Sequence, residues 1–161
     1  MRVLGIESSS LVASVAIVTD GILTAEYTVN LKKTHSQTLL PMIDEVIRML
    51  EIELDTIDAI AVSGGPGSFT GLRIGSATAK GLGLAMKKPL IHVPTVDAMA
   101  YNLYGTDALI CPIMDARRNQ VYTGLYHFRE EFEIVKEQQP VHPTAPVPAA
   151  GFPHWDGSPA G

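Results

Sequence analysis

The sequence predicts an α/β fold in which a mixed β-sheet is flanked by helices. Three strand-like segments follow one another at the start of the chain, and helix-like and strand-like segments then alternate in the order β-β-β-α-β-α-β-α. Strands joined by tight turns pair antiparallel, whereas strands joined through a helix pair parallel. One sheet that holds both kinds of pairing is therefore expected.

The three opening strands are predicted at residues 3–6, 12–18 and 22–29, which are rich in apolar and β-branched side chains. Thr19-Asp20-Gly21, between the second and third strands, has the composition of a hairpin turn. The sheet should therefore begin as an antiparallel meander.

The first helix is predicted over residues 37–50, where Leu, Ile and Val recur at three- and four-residue steps. Thr34-His35-Ser36 supplies capping side chains, and Pro41 lies near the helix start, where proline is tolerated. Met42 and Met49 lie beside the main apolar stripe and widen it. They extend either the core or a surface for a partner.

A glycine-rich loop leads from a buried strand at residues 59–62 into a second helix at residues 72–86. Small side chains recur on one face of this helix at a spacing of four: Gly71, Gly75, Ala79 and Gly83. Such a stripe lets another backbone approach closely. We predict that the stripe, together with Met42 and Met49, pairs with the same helices of another chain. The alternative is that it faces the protein's own sheet.

The next segments complete one lobe and open another. A strand is predicted at residues 90–93, followed by a helix at residues 96–104 that Thr95 caps. Strands at residues 109–114 and 121–128 then begin a second meander.

The predicted domains are a first lobe at residues 1–105, an incomplete second lobe at residues 106–137 and a tail at residues 138–161. The tail holds six of the eleven prolines and only one charged side chain, that of Asp156. We therefore expect the chain from Gln138 onward to have no helix or sheet pairing.

Composition narrows the classes of function. With 17 acidic and 12 basic residues the net charge is −5, so the chain lacks the broad basic surface of a dedicated nucleic-acid binder. No apolar run approaches the roughly 18–20 residues of a membrane span, and a cytoplasmic location is expected. The one cysteine, Cys111, excludes an internal disulfide, and no H-x-x-x-H pair is present, so no metal is expected.

Two loops that end buried strands are candidate phosphate sites. The first contains Glu7 and Ser8, and the second contains Gly64, Gly65 and Gly67. Loops of this composition can direct backbone N–H groups at a phosphate. The pattern G-x-x-x-x-G-K-[ST] is absent, so the alternative is that both are tight turns between strand and helix.

Four segments together resemble the TsaB (YeaZ) family. They are GIESS from Gly5, HSQTLLP from His35, GGPGSFTGLRIG from Gly64 and MDARR from Met114. The resemblance extends from residue 1 to about residue 128. It implies the actin-like ATPase fold (the ASKHA superfamily, with a ribonuclease H-like core). It also implies a role in the synthesis of N6-threonylcarbamoyladenosine (t6A) at position 37 of tRNA.

The resemblance separates this chain from TsaD, the catalytic relative, which transfers the threonylcarbamoyl group. In TsaD a helix that begins H-x-x-x-H holds a metal, and the corresponding positions here are Thr95 and Met99. Neither side chain replaces an imidazole as a ligand. Leu11 and Val12 stand where TsaD has acidic residues. The resemblance therefore implies a noncatalytic subunit that binds and stabilises TsaD.

The resemblance implies further partners as well. They are a TsaE-like ATPase, a second copy of the chain when TsaD is absent, and tRNA met only through the complex. It implies no cofactor of the chain's own, and ATP or ADP would be bound within the complex.

Other classes of function stay open at the level of sequence. An actin-fold ATPase or kinase needs acidic Mg²⁺ ligands, for which Glu7 and Asp115 are the loop candidates. A glycoprotease-like peptidase is the other enzymatic alternative, and a homodimeric interaction module is the third class. Arg117 and Arg118 follow Asp115 without a pattern that assigns them a role.

Overall fold

The computed structural model describes residues 1–30, 35–128 and 131–142. Within these residues the strands form two sheets. The strands of the larger sheet are β1 Arg2–Glu7, β2 Ala13–Thr19, β3 Ile22–Val29, β4 Ala59–Ser63 and β5 Leu90–Val93.

The larger sheet has the spatial order β3-β2-β1-β4-β5. β1 pairs antiparallel with β2, and β2 pairs antiparallel with β3, as the predicted meander requires. β1 pairs parallel with β4, and β4 pairs parallel with β5. The predicted fold class, an α/β fold with a mixed sheet and flanking helices, is confirmed.

Three helices accompany this sheet: α1 His35–Met49, α2 Phe69–Met86 and α3 Thr95–Ala100. α1 packs on β2 and α2 packs on β4, and the two helices also contact each other. The core between helices and sheet contains alternate residues of the strands and the apolar stripe of α1: Leu4, Ile6, Val15, Ile17, Ile60, Leu39, Ile43 and Val46. Each fully buried side chain of this size contributes about 1.5–3 kcal/mol, so this interface holds the lobe together.

All three helices begin earlier than predicted. α1 begins at His35, so His35 and Ser36, which were predicted to cap it, are already helical. α2 begins at Phe69, three residues early, because Ser68 Oγ accepts a hydrogen bond from the Gly71 N–H at 3.3 Å and caps the helix. The predicted capping role of Thr95 is wrong, since Pro94 is the cap residue and Thr95 is already helical. Thr34, the first of the side chains predicted to cap α1, lies outside the described residues.

The chain after α3 does not continue as one helix. A 3₁₀ turn follows at Tyr101–Leu103, within the segment that was predicted to be helical to residue 104. The smaller sheet consists of β6 Ile113–Arg117, β7 Gln120–Phe128 and β8 Phe132–Val141, in that order. The strand predicted at residues 109–114 is therefore displaced toward the C-terminus.

The predicted lack of sheet pairing from Gln138 onward is wrong for residues 138–141. Gln139 pairs with Thr123 and Pro140 pairs with Tyr122, so β8 continues through this segment. β8 lies at the edge of its sheet, and an edge strand tolerates proline where the missing N–H would face away from its neighbour. Residues 143–161 lie outside the described residues, and the domain boundaries stay a prediction.

None of the helices in the described ranges is both long enough and apolar enough to cross a bilayer.

Candidate functional site

The two loops predicted as phosphate sites meet at one edge of the larger sheet. β1 and β4 are parallel neighbours, so the loops that follow them emerge side by side. The Ser68 N–H donates to the Ser9 carbonyl oxygen at 2.6 Å, and the Ser8 N–H donates to Ser63 Oγ at 3.3 Å. The structure therefore brings the two loops into direct contact, as the parallel pairing requires.

Ser8 joins the first loop to α2. Its hydroxyl is fully buried and donates to the Gly71 carbonyl oxygen at 3.0 Å. A β-carbon built on Gly71 would lie 2.0 Å from the Ser8 carbonyl oxygen, and one built on Gly75 would lie 2.2 Å from Ser8 Oγ. These glycines are required because the first loop lies directly against the helix.

The predicted partner interface on the glycine stripe is corrected by this packing. Gly71, Gly75, Ala79 and Gly83 are all buried against the protein's own sheet and loops. At the last of these positions a β-carbon would lie 2.8 Å from Leu90 Cδ2, on β5. The alternative reading, in which the stripe faces the chain's own core, is the one that the geometry supports.

The two methionines of the predicted interface have different environments. Met42 is buried in the core beneath α1, whereas Met49 at the end of α1 is 74% exposed. Only Met49 keeps a surface that a partner can reach.

Several polar groups of the two loops have partners within the chain. Glu7 Oε1 accepts from the Ser9 N–H, and the Gly64 N–H donates to the Val93 carbonyl oxygen at 2.8 Å. The Gly65 carbonyl oxygen accepts from the Thr95 N–H at 2.9 Å. A β-carbon on Gly67 would lie 2.5 Å from the Ser9 carbonyl oxygen. In this arrangement the five candidate residues form a structural junction between β1, β4 and α3.

Gln138 extends the junction to the smaller sheet. Its Oε1 accepts from the Val96 N–H at 3.2 Å, and its Nε2 donates to the Gly65 carbonyl oxygen at 3.4 Å. Sequence reasoning missed this residue because proline-rich composition masks the strand that carries it. Nothing in the local pattern identifies the contact.

Tyr126 and Asp97 form a second connection between the smaller sheet and α3. The fully buried tyrosine donates its hydroxyl to Asp97 Oδ1 at 2.7 Å. Burial, and then the hydrogen bond to Asp97, raises the pKa of Tyr126 well above its usual value of 10. The phenol therefore stays protonated, and it acts as a donor that fixes the orientation of α3.

Residues 95 and 99, which the resemblance matches to the two histidines of TsaD, are both on α3. Thr95 is buried, and its Oγ1 has no hydrogen-bond partner in the described part of the chain. Met99 follows four residues later and is half-buried. Over residues 1–30, 35–128 and 131–142, no three His, Cys, Asp or Glu side chains come close enough together to hold a metal ion.

The candidate Mg²⁺ ligands are engaged locally. Asp115 Oδ1 accepts from the Arg117 N–H at 2.8 Å, at the end of β6 where the chain turns toward β7. Arg117 and Arg118 both have positive φ angles there, 62° and 49°. No hydrogen bond or ion pair joins Asp115 to the loop of Glu7 among the residues described. The structure therefore gives these two carboxylates separate local contacts, one at the end of β1 and one at the end of β6.

Comparison with known proteins identifies the family of this chain. The family model described as TsaD, tRNA N6-adenosine threonylcarbamoyltransferase, matches residues 24–146. The tRNA threonylcarbamoyladenosine biosynthesis protein TsaB of Bacillus subtilis (strain 168) is 37% identical over 140 residues, which are 86% of this chain. The TsaB protein of Escherichia coli (strain K12) is 34% identical over an alignment of 152 residues that covers 88% of this chain.

A solved structure agrees with these sequence matches. YeaZ from Pseudomonas aeruginosa superposes with a TM-score of 0.79 and 29% identity, covering 91% of this chain and 70% of that one. The chain spans 61% and 65% of the lengths of the Bacillus and Escherichia relatives. By sequence and by fold, the chain belongs to the TsaB (YeaZ) family.

Proposed function

We propose that this chain is an accessory subunit in the synthesis of t6A in tRNA and that it binds a TsaD-like transferase. The observation that carries the proposal is family membership combined with α3, where Thr95 and Met99 replace the two histidines of TsaD. A hydroxyl and a thioether do not form the imidazole pair that the transferase uses. The chain binds and stabilises the transferase, and the transferase carries out the chemical reaction.

The partner surface lies on the outward side of the helices that cover the larger sheet. Leu40 on α1 is 54% exposed, and Leu84 on α2 is more exposed still. Met49 follows Leu40 by nine residues, so it lies on the opposite side of α1, next to β3. α1 and α2 already contact each other, so a partner that supplies two further helices would complete a four-helix interface. A second copy of the chain would use the same surface when the transferase is absent.

In this proposal the nucleotide is bound by the complex and not by this chain alone. The Ser8 hydroxyl, the Glu7 carboxylate and the Gly64 N–H have partners within the chain, which supports a structural role for the junction. ATP or ADP and a TsaE-like ATPase would then bind where the two subunits meet.

Equilibrium binding to the TsaD-like transferase of the same organism tests the proposal. Leu40→Asp places a charge in the interface, and we expect it to weaken binding at least tenfold, about 1.4 kcal/mol. Leu103→Asp is the matched control, because Leu103 is 56% exposed and lies in the 3₁₀ turn away from α1. Failure of the unmodified chain to bind the transferase, or equal loss in both variants, contradicts the proposal.

A further inference from the structure

Residues 59–96 form a cationic segment in an acidic chain. They contain no Asp or Glu and four Lys or Arg residues, although the whole chain has a net charge of −5. The segment comprises β4, α2 and β5, and β5 is an edge strand of the larger sheet. Every charged side chain of this segment is therefore basic.

A groove of about 510 Å³ lies along this edge, between α2 and the ends of β4 and β5. Its helical side is formed by residues that recur on one face of α2: Phe69, Arg73, Ser76 and Lys80. His92 of β5 forms the opposite side. All the ionisable side chains that line the groove are basic, and its volume is typical of ligand-binding clefts.

Gly64 makes room for the histidine of this groove. A β-carbon built on Gly64 would lie 1.7 Å from His92 Nε2, so any larger residue would displace the imidazole. Gly64 and His92 are both exposed, and the ring lies over the backbone of the glycine loop. The first glycine of that loop therefore shapes the groove.

Phe69 and Arg73 form a stacked pair at the mouth of the groove. The guanidinium carbon of Arg73 lies 5.3 Å from the centre of the Phe69 ring, within the range of a cation–π interaction. Phe69 is nevertheless 74% exposed. The ring thus holds the guanidinium in place and still offers a large apolar surface to a planar group.

We propose that this groove binds single-stranded RNA, with Arg73 and Lys80 on the phosphates and one unpaired base stacked on Phe69. A positive groove with an exposed aromatic ring is the arrangement that single-stranded nucleic acids recognise. An acidic protein segment would match the cations but would gain little from the ring. The choice of RNA rests on the proposed function in tRNA modification. It differs from the expectation that this chain meets tRNA only through the complex.

Binding of labelled oligonucleotides to the full chain tests the assignment. The probes are a single-stranded RNA, an RNA duplex of the same length and a polyglutamate of the same charge. We expect the single strand to bind tightest. Phe69→Leu should weaken binding of the single strand about five- to 140-fold through lost stacking. Lys80→Gln should reduce the slope of log K against log salt concentration by about 0.7, the value for one phosphate contact.

The matched control is Lys136→Gln on β8, which removes the same charge from the other sheet. It should leave both the affinity and the salt slope unchanged. Equal binding of polyglutamate, an unaltered affinity in Phe69→Leu, or equal losses in Lys80→Gln and Lys136→Gln would overturn the assignment.

Transferase binding of a groove variant separates the two proposals. Lys80 lies one turn from Leu84 of the proposed partner surface, so the separating variant is Phe69→Leu at the opposite end of α2, which should bind the transferase normally. A chain that binds RNA but not the transferase contradicts the proposed function alone. A chain that binds the transferase but not RNA contradicts the groove alone.

Discussion

Ser8 and Gly71 are joined through a buried hydrogen bond, and they lie so close that position 71 has no room for a side chain. Ser8 Oγ donates to the Gly71 carbonyl oxygen at 3.0 Å, while a β-carbon on Gly71 would lie 2.0 Å from the Ser8 carbonyl oxygen. The glycine stripe of α2 is thus an internal contact between helix and loop. Its effect on stability can be measured.

Gly71→Ala should destabilise the fold, because the atom it meets is backbone and one of the two segments must move. We expect a loss of about 1–3 kcal/mol in the free energy of unfolding. Gly81→Ala is the matched control on the same helix, since its β-carbon would meet nothing within 4 Å. It should stabilise the chain by about 0.5–1 kcal/mol through helix propensity. Denaturant unfolding measures both, and equal effects of the two variants would contradict the packing described.

Ser8→Ala and Gly75→Ala should be non-additive. In the single variant Gly75→Ala the new methyl group would lie 2.2 Å from Ser8 Oγ, but in the double variant the nearest Ser8 atom is Cβ at 3.3 Å. Removing the hydroxyl costs about 0.5–1.5 kcal/mol by itself. A double-mutant cycle should therefore give a favourable coupling of about 0.5–3 kcal/mol. Strict additivity would show that the two residues are not in contact.

Gln138→Ala should loosen the start of α3. The Val96 N–H donates to the Gln138 side chain, so its hydrogen exchange should become faster in the variant. Gln139→Ala is the control, because Gln139 is adjacent in β8 and points to the opposite face of the strand. Unchanged exchange at Val96 in Gln138→Ala would exclude the contact.

The raised pKa of Tyr126 predicts that the free energy of unfolding depends on pH in the alkaline range. The folded-state pKa of this phenol is raised above the unfolded value of about 10, so its contribution to stability is fully present below about pH 10. As the pH rises further the unfolded phenol ionises first, and stability falls by up to about 1.4 kcal/mol per pH unit. Tyr126→Phe should be less stable than the unmodified chain at pH 7 and should converge with it above pH 10. Parallel curves would contradict the burial of this hydroxyl.

The periodic parts of the fold were predictable from the sequence. β3 matches its predicted span, and the other strands of the larger sheet and the first two helices lie within a few residues of theirs. In β1, β2 and α1 one buried face fixes the apolar period. The spacing of Gly71 and Gly75 also predicts a close approach. It does not say which backbone approaches, and here that backbone belongs to Ser8 of the same chain.

Other features have no local signature. β8 escapes prediction because Gln138 and Pro140 lie in a proline-rich segment, and only pairing with β7 makes a strand of it. The imidazole of His92 occupies space that is free only because Gly64, which is distant in the sequence, has no side chain. Contacts of this kind depend on topology, whereas propensity describes neighbours along the chain.

Quantification of t6A in a reconstituted reaction tests the central claim most directly. The reaction contains unmodified tRNA, a threonylcarbamoyl donor and the TsaD-like transferase of the same organism, with or without this chain. We predict that the transferase forms t6A far faster with the chain than without it, and that the chain alone forms none. A rate that does not change when the chain is added, or t6A formed by the chain in the absence of the transferase, would contradict the account.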